Sequence, residues 1–78
     1  MSRYYFDLDN GDGQTVDQEG LELPSLERAS KEASRIVGDL ARDEIAEVEQ
    51  GTICLTIRNS KGETIARTTL TFATEWVG

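Results

Sequence analysis

This 78-residue chain contains no histidine and a single cysteine, Cys54, which leaves carboxylates as its most plentiful groups for acid–base or metal chemistry. Without imidazole there is no Ser-His or Cys-His nucleophile pair and no histidine metal ligand. One thiol cannot form a CxxC redox pair or a thiolate zinc cluster within one chain. Carboxylates are plentiful, as in Asp43-Glu44 and Asp17 with Glu19. Catalysis by such a pair needs a pocket that drives the two pKa values apart. The elements described below offer little concavity, so these acids read as solvated faces and no catalytic residue is expected.

The run Asp7-Leu8-Asp9-Asn10-Gly11-Asp12-Gly13 invites a calcium reading that fails on spacing. Counted from Asp7, the fifth position is Gly11, the sixth Asp12 and the twelfth Gln18. A calcium loop needs an oxygen ligand, a glycine and a bidentate glutamate at those places. The run is a turn signal instead, since glycine and asparagine tolerate the positive φ of tight reversals. Gly11-Asp12-Gly13 also contains a G-x-G, but no strand-to-helix crossover follows it and the next glycine is Gly20. A phosphate loop opening onto a helix is therefore not expected, and neither a metal nor a cofactor is.

The elements that position these residues follow from periodicity. Tyr4, Phe6 and Leu8 alternate, as do Ile53, Leu55 and Ile57. Between them Leu26, Ala29, Ala33, Ile36, Val37, Leu40 and Ala41 recur at helical spacing. A two-residue period on both sides of a 3.6-residue period predicts an α+β domain spanning residues 1–78. Its order is β-β-α-β-β, one antiparallel four-stranded sheet with a single helix packed on one face.

The first strand covers Ser2 to Leu8, with Arg3, Tyr5 and Asp7 pointing outward. Its return, Gln14 to Leu23, is interrupted by Gly20 and is expected as two short pieces around a bulge near Glu19-Gly20. Pro24 ends the strand and the Ser25 hydroxyl caps the helix. Glu44 protrudes past the sheet, Ile45 and Val48 cover the end of the core, and Gly51 stops the helix. In the last hairpin, alternation sets Ile57 opposite Ala66, Leu55 opposite Thr68 and Ile53 opposite Leu70. That register needs an even loop around Ser60-Lys61-Gly62, or an odd loop corrected by a bulge near Ala66-Arg67.

A sheet covered on one side leaves its other face to solvent or to a partner. By alternation that face presents Arg3, Tyr5, Cys54, Thr56, Arg58, Ile65, Thr69 and Thr71. Tyrosine beside arginine is the pairing favoured in protein interfaces. Cys54 has no evident lysine or histidine neighbour to activate it and reads as a half-buried structural thiol. Trp76 either plugs the sheet's edge or joins that contact. The possible interaction surface is therefore Arg3, Tyr5, Cys54, Arg58 and Trp76.

Net charge is −7, from 15 acids against 8 bases. Nucleic-acid binding depends on cations that displace phosphate counterions, so no nucleic-acid partner is expected. No run approaches the ~18 apolar residues of a membrane span, and no secretory signal is readable. A lone cysteine in a small domain fits a reducing compartment, so a cytoplasmic location is expected.

Two further stretches carry a resemblance: Met1-Ser2-Arg3-Tyr4-Tyr5-Phe6, and Asp17-Gln18-Glu19-Gly20-Leu21-Glu22-Leu23-Pro24-Ser25-Leu26. Together they resemble a family of short bacterial proteins known as a domain of unknown function. Its members open M-x-R-[YF]-[YF]-F, continue D-x-x-G-x-E-[LF]-P and enter a helix rich in Glu and Ala, here Glu27 to Ala41. The resemblance implies a β-β-α-β-β domain and no assigned activity. Many members carry histidine where this chain has Asp7, so any role of that imidazole is not transferable. A weaker similarity is to HicB-type antitoxins, which also open with an aromatic strand, an acidic glycine turn and an Ala-rich helix. This chain lacks their P-G-C-like step and any DNA-binding segment. The expected role is a non-enzymatic protein–protein interaction module, self-associating or hetero-associating. The alternative is an acidic, antitoxin-like inhibitor of a basic partner protein.

Overall fold

A computed structural model describes all 78 residues. Strand β1 runs Ser2–Asp9, β2 Gln14–Thr15 and β3 Leu21–Leu23. Helix α1 spans Leu26–Glu44, and the hairpin β4 Gln50–Arg58 with β5 Thr64–Ala73 completes the chain. All pairings are antiparallel. The sheet is ordered β2-β1-β4-β5, with β3 also on β1, so the return strand is split into two pieces and the sheet has five strands. The α+β class and the β-β-α-β-β order expected from periodicity are the observed ones.

One face of this sheet packs on α1. Tyr4, Ile53, Leu55 and Ile57 from the strands meet Ala29, Ala33 and Val37 from the helix, all buried. The two alanines present no side chain beyond Cβ, which lets the helix lie close to the sheet. Phe6, Leu8, Leu70 and Phe72 pack around this centre. Ser25 caps the helix as expected, its hydroxyl accepting the Arg28 N–H at 3.2 Å.

The hairpin register is the predicted one: Ile57 faces Ala66, Leu55 faces Thr68 and Ile53 faces Leu70. The loop is odd and is corrected by a bulge, slightly earlier than Ala66-Arg67. Arg58 pairs with Thr64, so Ile65 is the extra residue between Thr64 and Ala66. The loop closes with Asn59 N–H to the Glu63 carbonyl and Gly62 N–H to the Asn59 carbonyl.

The helix terminus departs from expectation. Gly51 does not stop α1; it lies within β4, and the helix ends at Glu44 with Ile45 still in helical backbone geometry. Ile45 and Val48 do not cover the core; they are 50 % and 41 % exposed. Phe72 takes that place. Its ring lies so close over Gly51 that a Cβ there would meet Cζ at 2.9 Å. The residue expected to stop the helix is instead the floor for the ring that closes this end.

Candidate functional site

Alternation places Arg3, Tyr5, Asp7, Cys54 and Arg58 on the sheet face away from the helix, and the structure agrees for all of them. Asp7, however, is buried, only 8 % exposed on the face expected to be open. The segment 16–20, which joins β2 to β3, folds over it. Asp7 Oδ1 accepts the Asp17 N–H at 3.0 Å. Arg58 approaches from β4, donating from Nε to Asp7 Oδ2 at 2.6 Å and from Nη2 to Oδ1 at 3.1 Å. The same Nη2 donates to the Asp17 carbonyl at 3.0 Å, and the guanidinium carbon stacks 5.0 Å from the Tyr5 ring centroid.

Asp17 performs a different task with its carboxylate. Oδ2 accepts the Phe6 N–H at 3.1 Å, and Oδ1 accepts the N–H groups of Glu19 and Gly20, both at 3.1 Å. On this border of β1, Ser2 and Tyr4 pair with β3 and Leu8 pairs with β2. Phe6 falls in the gap, and an aspartate side chain completes the ladder. Arg3 binds the same crossover, with Nη1 on the Glu19 carbonyl at 2.7 Å and Nε 3.4 Å from Glu22 Oε1.

Both carboxyls are held below their ordinary value of 3.8. For Asp7 the Arg58 hydrogen bonds are the main cause, opposed by burial and helped by the Asp17 N–H. For Asp17 burial pushes upward, but the N–H groups of Gly20, Phe6 and Glu19 outweigh it. Near neutral pH both carboxylates are ionised, and their oxygens accept hydrogen bonds from the protein's own donors. The cluster is an internal tie.

Of the five residues singled out from the sequence, Tyr5 and Arg58 are in contact and Arg3 joins them at the crossover, whereas Cys54 sits opposite Asp9, four residues along β4 from Arg58. Cys54 is half-buried, with its Sγ 3.6 Å from the Thr69 hydroxyl. Trp76 stands apart. Its Nε1 donates to Glu49 Oε1 at 2.9 Å, at the far end of β4 from Arg58, about 30 Å away at strand spacing. Its ring is 80 % exposed, so it plugs nothing.

Sequence reasoning passed over Asp7, Asp17 and Gly20 as a working unit. Gly20 has φ +72, and a Cβ there would meet Arg3 Cγ, the Tyr4 carbonyl and Tyr5 Cε2, each at 2.9 Å. The spacing Asp17-x-x-Gly20 is the signal for this loop: an acid that caps its own turn, followed by the residue that tolerates the turn's backbone.

The opposite border of the sheet carries none of this protection. β5 pairs with β4 on one side only. Thr74 N–H donates to the Glu49 carbonyl, and bonded pairs recur every second residue from there. Ala66, Thr68, Leu70 and Phe72 therefore direct their backbone groups at β4. Arg67, Thr69, Thr71 and Ala73 direct theirs outward.

A family model described as a domain of unknown function (DUF6894) matches residues 3–71. The chain belongs to this family. The match runs from the strand that carries Arg3 through the Asp17 crossover and well into β5. No curated protein and no solved structure matches the chain. No helix of this DUF6894 protein is long and apolar enough to cross a membrane.

Proposed function

We propose that this protein is a non-enzymatic protein–protein interaction module that binds an extended segment of its partner along β5. The observation that carries this reading is the contrast between the sheet's two borders. The outer border of β1 is covered by two short strands and a carboxylate, whereas the outer border of the ten-residue β5 has no strand beside it. Natural sheets blunt an exposed edge with proline, inward-pointing charge or short length. β5 has no proline and no charge on its inner face, and its bulge lies only at its start. An edge of this kind takes an added strand through main-chain hydrogen bonds.

The polar chemistry of the molecule supports the non-enzymatic part. Asp7, Asp17 and Arg58 satisfy one another, and the surface holds only two shallow open depressions of about 370 and 360 Å³. An acidic inhibitor of a basic protein has weaker support, because the acids without an ion-pair partner are scattered over the β1–β2 turn, the crossover, both ends of α1, the β4–β5 loop and Glu75. The lone thiol Cys54 supports a reducing, cytoplasmic setting.

The test is a titration of isotope-labelled protein with a synthetic peptide of alternating threonine and valine, followed by amide chemical shifts. Shifts confined to Arg67, Thr69, Thr71 and Ala73 are expected. Binding centred on the Asp7–Arg58 cluster, or no binding at millimolar peptide, contradicts the reading.

A further inference from the structure

We infer that the strand added to β5 is β5 of a second copy, in an antiparallel pair about a two-fold axis beside Thr69. This rests on the interaction-module reading and names its partner. Charge selects the surface. With a net charge of −7, two copies repel almost wherever they meet. None of the 15 acids lies between Thr64 and Thr74, and the one charge on β5 is Arg67. Along the strand itself no carboxylate faces a carboxylate; like charges meet only at its two ends, where Glu63 of one copy comes opposite Glu75 of the other.

Shape selects the register. An antiparallel pair of identical strands is isologous, so every contact occurs twice. With the axis beside Thr69, the outward-directed backbone groups of Arg67 meet those of the partner's Thr71. Thr69 meets its own counterpart. On the helix-covered face Phe72 then stands opposite Ala66 and Leu70 opposite Thr68, a large side chain against a smaller one in each case. All four are only half-buried in one copy, and Ala66, Leu70 and Phe72 pack at the margin of the core. The second copy continues both the sheet and its apolar underside, placing cross-strand neighbours against these side chains.

The experiment is sedimentation equilibrium of the full chain beside T69P, T71P and T68P. Proline at Thr69 or Thr71 removes an outward N–H, whereas proline at Thr68 removes a ladder bond to β4. The wild type is expected to sediment at twice the monomer mass, and to associate more tightly as added salt screens the net charge. T69P and T71P are expected at monomer mass, melting near the wild type diluted until it is monomeric, and T68P is expected to melt lower than either. A wild type monomeric at millimolar concentration, or T69P and T71P both still dimeric, overturns the inference. If that monomer still binds the threonine–valine peptide at β5, the dimer alone falls. If it does not, the broader reading falls with it.

Discussion

The Asp17 carboxylate accepts the Phe6 N–H at the one place on its border of β1 where neither β2 nor β3 supplies a carbonyl. A single side chain thereby converts an interrupted strand into a closed edge. The residue that does this is itself fixed by Asp7, whose other contacts belong to Arg58, 51 residues away in the chain. Edge closure and β1–β4 pairing are therefore one network, and several consequences can be measured.

Asp7→Asn keeps the size of the side chain and removes the charge facing Arg58. The loss of charge-assisted bonds in a buried place is expected to cost about 2 kcal/mol of unfolding free energy. Urea denaturation reads it as a lower midpoint with an unchanged slope. A midpoint equal to the wild type's would show that the pair contributes nothing net.

Acid is expected to weaken the fold through the same two residues. Asp7 and Asp17 titrate below 3.8 when folded, so the unfolded chain takes up protons first as pH falls. Their contribution is complete above the unfolded value and is lost progressively below about pH 4. Stability measured from pH 6 to pH 2 should fall in that lower range, and Asp7→Asn should flatten the fall. An identical pH profile for the variant would remove Asp7 from the explanation.

Two glycines with similar backbones should respond differently. Gly20 and Gly62 have φ +72 and +83, but only Gly20 is crowded by neighbouring atoms. Gly62→Ala should cost about 1 kcal/mol, the strain of a left-handed backbone. Gly20→Ala adds a clash with the Tyr4 carbonyl and should cost about 2 kcal/mol or more. Thermal melts of the two variants settle the order, and equal losses would mean that the crossover yields easily.

The legible parts of this fold are those set by alternation. Tyr4, Ile53, Leu55 and Ile57 are buried because each sits on the apolar side of a two-residue period, and the pairing of Ile57 with Ala66 follows from the same rule. The bulge fell at Ile65 rather than beyond it, because loop closure at Asn59 and Glu63 leaves the extra residue immediately after Thr64. The end of α1 was illegible because Ile45 and Val48 have helical spacing but no sheet beneath them, while Phe72 reaches back over Gly51. The Asp7 cluster was illegible for another reason. Alternation says which side of a strand a residue faces, not whether a loop 10 residues onward will cover it.

The helix start offers a smaller check on local reasoning. Ser25→Ala removes the hydroxyl that accepts the Arg28 N–H. A loss of about 1 kcal/mol is expected, with the β4–β5 amides exchanging as before. No measurable loss would mean that water satisfies that N–H equally well.

The central claim is that one border of the sheet is closed and the other awaits a strand. Residue-resolved amide hydrogen exchange in dilute protein tests it most directly. The Phe6, Thr68 and Leu70 amides should be slow and those of Arg67, Thr69 and Thr71 fast, with only the latter slowing as protein concentration rises. A Phe6 amide as fast as Thr69, or β5 amides protected alike at every concentration, would contradict the account.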